Sequence, residues 1–140
     1  MRQILLFAAL AASLALLSGC ALSRAKEDTA EDMPDKAAYH KISAEEAYEM
    51  INSQEVVIVD VRTREEYDGG HIENAVLVPN ESIDSEMPEA LPDKESTLLI
   101  YCRSGRRSKD AAQKLLALGY QSVYDFGGVI DWPYELVKEG

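Results

Sequence analysis

Cysteine is scarce in this chain of 140 residues, occurring only as Cys20 and Cys102. Basic residues are also few: 14 lysines and arginines stand against 25 aspartates and glutamates, a net charge of −11. A body this acidic lacks the basic patches that attract nucleic acid or anionic lipid surfaces, so neither is expected as a partner. The apolar run Ile4 to Leu17, broken only by Ser13, has 14 residues. It falls short of the roughly 20 that a membrane-spanning helix needs. No internal repeat is visible.

That run follows a short positive start, Met1-Arg2-Gln3, and matches the apolar core of a secretory signal peptide. It ends at Leu17-Ser18-Gly19-Cys20, which resembles the lipobox of bacterial lipoproteins. The resemblance implies cleavage before Cys20 and lipid on that cysteine. An ordinary signal peptide with a chance cysteine is the plainer alternative. Ala21, not aspartate, follows Cys20. In a cell with two membranes the resemblance therefore implies outer-membrane delivery, facing the periplasm. Three segments are expected: a signal peptide at 1–19, a lipidated and disordered acidic tether at 20–38, and a folded domain at 39–140. Losing residues 1–19 removes Arg2 and no acid, so the mature 121 residues carry −12, enough chain for one domain. With Cys20 committed to lipid, Cys102 is the one remaining thiol. No internal disulfide can form, although an exported compartment would permit one.

From Tyr39 onward, strand and helix patterns alternate. Lys41-Ile42 reads as a short strand, and Ser43-Ala44-Glu45-Glu46 as a capping box opening a helix to about Asn52. Val56 to Val59 is a β-branched run suited to a strand buried on both faces. Thr63-Arg64-Glu65-Glu66 is a second capping box, starting a short helix that stops at Gly69-Gly70. Ala75 to Val78 and Thr97 to Tyr101 read as strands, with partial helix between Asn80 and Leu91. Ser108 to Leu118 reads as a helix with Ala111, Ala112, Leu115 and Leu118 on one face. A last strand at Val123-Tyr124 and a last helix over Val129 to Glu139, interrupted near Trp132-Pro133, complete the pattern. The fold class expected is α/β, a mainly parallel central sheet with helices on both faces. Ligands bind beyond the carboxyl ends of the strands in such sheets. Asp60-Val61-Arg62 and Cys102-Arg103-Ser104-Gly105-Arg106-Arg107 stand at two such ends.

Cys102 is separated from the helix after it by five residues with Gly105 in the middle. A loop this short can turn successive backbone amides toward one point. The helix start adds roughly half a positive charge, and Arg103, Arg106 and Arg107 add more. All three features favour a thiolate, so the thiol pKa should fall below its reference of about 8.5. They would also bind an anion beside it. A buried core cysteine is the bland alternative, and a solvated basic helix start is the bland reading of the arginines.

Asp60-Val61-Arg62, Glu66-Tyr67, Gly70-His71-Ile72, Ala75, the segment Tyr101 to Ser108, Leu118-Gly119-Tyr120, and Gly127-Gly128 followed by Trp132 together resemble a single-domain rhodanese. The resemblance covers about residues 39–140. It implies sulfur transfer: Cys102 takes the outer sulfur of a small anionic donor such as thiosulfate, forming a persulfide. A thiophilic acceptor, a thiol or a protein, then removes that sulfur. It further implies an active-site loop of Arg103, Ser104, Gly105, Arg106, Arg107 and Ser108, and a chemistry needing no metal or organic cofactor. Asp60 and Arg62 either shape the pocket rim or, more plainly, fix the loop through hydrogen bonds and an ion pair. His71 reads as a structural hydrogen-bonder, and Trp132 and Tyr134 as packing residues.

Two competing readings remain. Phosphatases and arsenate reductases of related fold resemble Cys-x5-Arg, whereas here the sixth position holds Ser108 and Arg107 is the fifth. A membrane-tethered persulfide carrier, or a sulfur-binding module without small-molecule turnover, is the alternative of a different class.

Overall fold

The computed structural model of the chain describes residues 38–139. The expected signal peptide, Cys20 and the tether before Ala38 lie outside the described residues. In chain order the elements are β1 (Ala38–Lys41), α1 (Ala44–Ser53), β2 (Val57–Asp60), α2 (Arg64–Asp68), β3 (Val76–Leu77), β4 (Thr97–Cys102), α3 (Arg106–Ala117) and β5 (Ser122–Gly128). Short 3-10 turns occupy Asn80–Ser82 and Val129–Asp131. The strands form one sheet in the order β1-β5-β4-β2-β3, and every pairing is parallel.

Alternation along the strands sorts the core into two layers. Leu98, Ile100 and Cys102 of β4 face Ala111, Ala112 and Leu115 of α3. Leu99 and Tyr101 face the other way, against Ala44 and Ala47 of α1 and Tyr67 of α2. Helices therefore cover both faces, which explains why β2 and β4 read as continuous apolar runs. Leu98, Leu99 and Ile100 are wholly buried, and each such side chain contributes about 1.5–3 kcal/mol.

Both capping boxes form. Ser43 Oγ accepts from the Glu46 amide at 3.1 Å while Glu46 Oε2 accepts from the Ser43 amide at 2.7 Å. Thr63 and Glu66 repeat this at 3.3 and 3.0 Å.

Several boundaries differ from the sequence reading. The first strand is Ala38–Lys41, not Lys41-Ile42. It is an edge strand, and its register against β5, Ala38 opposite Ser122 through Lys41 opposite Asp125, decides its extent. β5 runs seven residues rather than two. Its two glycines are poor strand formers; Gly128 is extended, at φ −120° and ψ 144°, while Gly127 turns through φ +90° beside the register shift against β4. Between Asn80 and Leu91 only one 3-10 turn forms. The final helix expected over Val129 to Glu139 is absent beyond Asp131. Pro133 has no amide to give, and the Val137 amide and carbonyl bond His71 instead, at 2.8 and 2.9 Å. This crossing places Trp132 over the α1 side of the core.

Candidate active site

Parallel register brings the two polar clusters to one end of the sheet: Asp60 pairs with Tyr101, and Cys102 with Gly128. α3 starts at Arg106, two residues earlier than expected, so only Arg103, Ser104 and Gly105 separate β4 from it. Gly105 makes this possible with φ of +102°, a left-handed turn where a side chain would be strained.

The turn aims backbone amides at Cys102. The Gly105 amide lies 3.0 Å from Sγ, and Ser108 Oγ lies 3.7 Å away. Burial pushes the thiol pKa up. The Ser108 amide and hydroxyl and the Gly105 and Ser104 amides outweigh it, and the net shift is downward. Oriented donors thus favour the thiolate in a place where desolvation alone would oppose it. Ser108 is itself wholly buried, its hydroxyl within reach of the Gly105 carbonyl at 3.0 Å and the Gly127 carbonyl at 3.3 Å.

The sulfur is covered, as the alternative of a buried cysteine requires, although the loop amides are turned onto it. Cys102 is 1% exposed, because the turn that supplies the amides also folds over it. Arg103 and Ser104 form the exposed rim above it.

The arginines do not act as one cluster. Arg107 is half-buried and forked onto Glu66, with both bonds at 2.8 Å. That hydrogen bonding from Arg107, helped by Thr63, lowers the Glu66 carboxyl to about 2. Arg106 is exposed and lines a groove with Arg107, Asn80, Glu81 and Asp110. Arg103 is exposed, and among the described residues it makes no ion pair. It lines a different cleft of about 320 Å³ with Arg62, Glu66, Gly70, Ile130 and Leu136 among others. A larger cleft of about 520 Å³, between Tyr48, Asn74 and Trp132, includes none of the site residues.

Asp60 and Arg62 form a buried ion pair at 2.7 Å. Asp60 also accepts from the Arg62 amide at 2.9 Å and the Tyr101 hydroxyl at 2.6 Å, and Arg62 donates onward to the Gly70 carbonyl at 2.8 Å. This network locks the ends of β2 and β4 to the end of α2, a fixing role. Arg62 additionally contributes to the cleft wall. His71 is buried just past the end of α2, with Nδ1 donating to the Tyr67 carbonyl at 2.9 Å and its ring stacked on Tyr67.

Three contributors stand outside the sequence reading of the site. Glu66 signals only its capping role, because its partner is 41 residues away. Tyr101 reads as a strand residue. Gly128 is needed for room: a Cβ there would overlap the Arg103 carbonyl oxygen and lie 2.6 Å from Ser104 Cα. The Gly127-Gly128 pair was the visible signal. Asp125 seats it by accepting from the Gly127 amide at 2.8 Å, next to a register shift at Ile100/Tyr101.

The fold and site define a parallel α/β domain with one cysteine held in an amide-lined loop at the sheet's carboxyl end. The chain belongs to the Rhodanese-like domain family, which matches residues 43–133. Among solved structures it is similar to a rhodanese-like domain protein from Staphylococcus aureus, at 34% identity and a TM-score of 0.62, covering 72% of this chain and 99% of that one. It is also similar to a rhodanese from E. coli, at 33% identity and a TM-score of 0.56, covering 61% of this chain and all of that one. A human single-domain sulfurtransferase gives 26% identity and a TM-score of 0.60, with 66% and 93% covered. Among curated proteins, the tRNA uridine(34) hydroxylase of Yersinia pestis is 32% identical over 106 residues, which are 72% of this chain. The chain spans 30% of the length of that relative. Family membership supports activity of the sulfurtransferase type.

Proposed function

We propose that the chain moves a sulfane sulfur from a small anionic donor of the thiosulfate type to a thiophilic acceptor, through a persulfide on Cys102. The observation that carries this is the convergence of the Ser104, Gly105 and Ser108 amides on Cys102 Sγ. The thiolate attacks the outer sulfur of the donor. The donor's S–S bond breaks, sulfite leaves with the electron pair, and an S–S bond forms on Cys102. An acceptor thiolate or cyanide then attacks the outer persulfide sulfur and the Cys102 thiolate returns. No proton transfer is required, so His71 needs no part in it. Fixed amides suit both anionic sulfurs without reorganisation. Arg103, exposed at the rim and in no ion pair among the described residues, is the arginine best placed to draw in a dianion, whereas Arg107 is already neutralised by Glu66. Because Sγ is nearly covered, the exposed rim at Arg103 and Ser104 has to yield for the first attack.

A further part of the proposal is location: an exported domain, lipid-anchored through Cys20 to a bacterial membrane, outer if there are two. The Leu17-Ser18-Gly19-Cys20 run supports it.

A persulfide carrier without small-molecule turnover is the second reading. It is favoured by the 1% exposure of Cys102, and by the presence of this domain as 30% of a larger relative named for a different reaction. Action on tRNA is not proposed, since a net charge of −11 opposes a polyanion.

The test is purified protein incubated with thiosulfate, then intact mass spectrometry and cyanide-dependent thiocyanate formation. One added sulfur atom on Cys102 and steady turnover are expected for the enzyme, one sulfur with negligible turnover for the carrier. Cys102→Ser should take up no sulfur while keeping its circular-dichroism spectrum; sulfur transfer retained in that variant would end the mechanism.

A further inference from the structure

The surface beside the reactive loop has a chemistry that a small dianion does not use. Among the described residues five large apolar side chains are markedly exposed, and three of them, Ile130 at 64%, Leu136 at 42% and Val137 at 37%, belong to the segment that follows β5. Ile130 and Leu136 line the 320 Å³ cleft together with Val129, Gly70 and Arg103. The position of that cleft follows from register. Cys102 and Gly128 are opposite one another at the ends of β4 and β5, and the cleft walls include the next residue of each strand, Arg103 and Val129.

The strip is also fixed in place. The Ile130 amide donates to the Arg103 carbonyl at 3.2 Å, tying it to the loop backbone. Val137 is paired with His71 through both backbone bonds. Leu136 packs at Gly70, where an added methyl group would sit 3.6 Å from its Cβ. Apolar side chains held outward by rigid backbone gain free energy only when something apolar covers them.

We propose that Ile130, Leu136 and Val137 dock a polypeptide sulfur acceptor, one whose cysteine is flanked by an apolar side chain. The proposal rests on the sulfurtransferase reading and names its second substrate. The occupant follows from what must come to this spot. The donor is a hydrophilic dianion and is served by amides and Arg103. Only the acceptor remains to meet the apolar wall, and cyanide or a hydrophilic thiol has nothing to place there. A flanking leucine fits the cleft, and Arg103 beside it attracts the acceptor thiolate. The sulfur handed over is the outer atom of the persulfide, one S–S bond nearer the rim than the covered Sγ. The acceptor thiolate attacks that atom, its own persulfide forms, and Cys102 leaves as the thiolate.

Two synthetic peptides test this, identical except that the cysteine is flanked by leucines in one and by serines in the other. Transfer from thiosulfate-loaded protein should favour the leucine peptide about tenfold in kcat/KM, a modest share of one buried leucine. In an Ile130→Ser/Leu136→Ser double variant that preference should vanish while thiosulfate–cyanide turnover stays unchanged. Met87→Ser, which removes another exposed apolar side chain (43%) outside this cleft, should leave the preference intact. Equal use of both peptides by the unmodified protein, or a preference that survives in the double variant, overturns the docking surface. Loss of cyanide turnover and of sulfur uptake in the unmodified protein overturns the sulfurtransferase reading instead, so the two failures are told apart.

Discussion

At the scale of single residues, the site turns on how one buried sulfur keeps a charge. Desolvation raises the Cys102 pKa, and donors from Ser108, Gly105 and Ser104 lower it further than burial raises it. Ser108 is the member that can be removed without touching the backbone. Ser108→Ala should raise the Cys102 pKa, read from the thiolate absorbance against pH, since it removes a hydroxyl that favours the charged sulfur. A titration superimposable on that of the parent would remove Ser108 from the account. Glu66 offers a second test. Its carboxyl lies near 2 in the fold against 4.5 ordinarily, chiefly through Arg107. A lowered folded-state pKa stabilises fully above the unfolded value and is lost as pH falls from about 4.5 toward 2. Both partners are partly exposed, so solvent screening leaves something on the order of 1 kcal/mol. Glu66→Gln keeps the cap, because glutamine serves at that position. The variant should be less stable in urea at pH 6, with the difference closing toward pH 2.5. Freed of its counter-charge, Arg107 should also lower the KM for thiosulfate a few-fold, with kcat little changed.

At the scale of elements, the loop is shaped as much by β5 as by its own sequence. Gly128 lies against Arg103 and Ser104 with no room for a methyl group. Gly128→Ala should therefore displace the loop, misalign the amides and cut sulfur transfer by about 100-fold, in line with angstrom-scale misplacement of reacting groups. The sheet should survive, so a normal circular-dichroism spectrum with lost sulfur uptake is the expected pair of results; full activity would show the loop to be tolerant. The same coupling explains what the residues alone could and could not reveal. Capping boxes at Ser43 and Thr63 are local signals, as are the apolar runs of β2 and β4 and the apolar face of α3. Each was legible. Asp125, Gly127 and Gly128 are poor strand formers, and this stretch joins β5 through its pairing with β4. The segment after Asp131 forms no helix because Val137 finds a partner at His71, a contact invisible to local reasoning. The turn between Cys102 and the next helix, with Gly105 in it, was legible as a short loop. The covering of Cys102 and the capture of Arg107 by Glu66 depend on tertiary placement, and were not.

At the scale of the whole molecule, charge and chemistry are kept apart. Acidic residues dominate the chain, and at the reactive end of the sheet Arg62 and Arg107 are paired with Asp60 and Glu66 while Arg103 and Arg106 stay exposed. An acidic body is repelled by anionic lipid, so any stable attachment to a membrane has to come from something other than electrostatics. Lipid on Cys20 is the proposed source, and it makes a distinctive prediction. The full chain expressed in a bacterium should sediment with membranes and remain there in high salt, because screening weakens ionic adhesion but not burial of acyl chains. Cys20→Ser should move the protein to the soluble fraction. Its specific thiosulfate–cyanide activity should be unchanged, since among the described residues the donors to Cys102 and the carboxylate paired with Arg107 lie within residues 63–128. Parent protein found soluble with an unmodified Cys20 would refute the anchor and leave the catalytic proposal standing. A soluble, inactive Cys20→Ser variant would instead mean that this end of the chain reaches the site, a role the loop geometry does not call for.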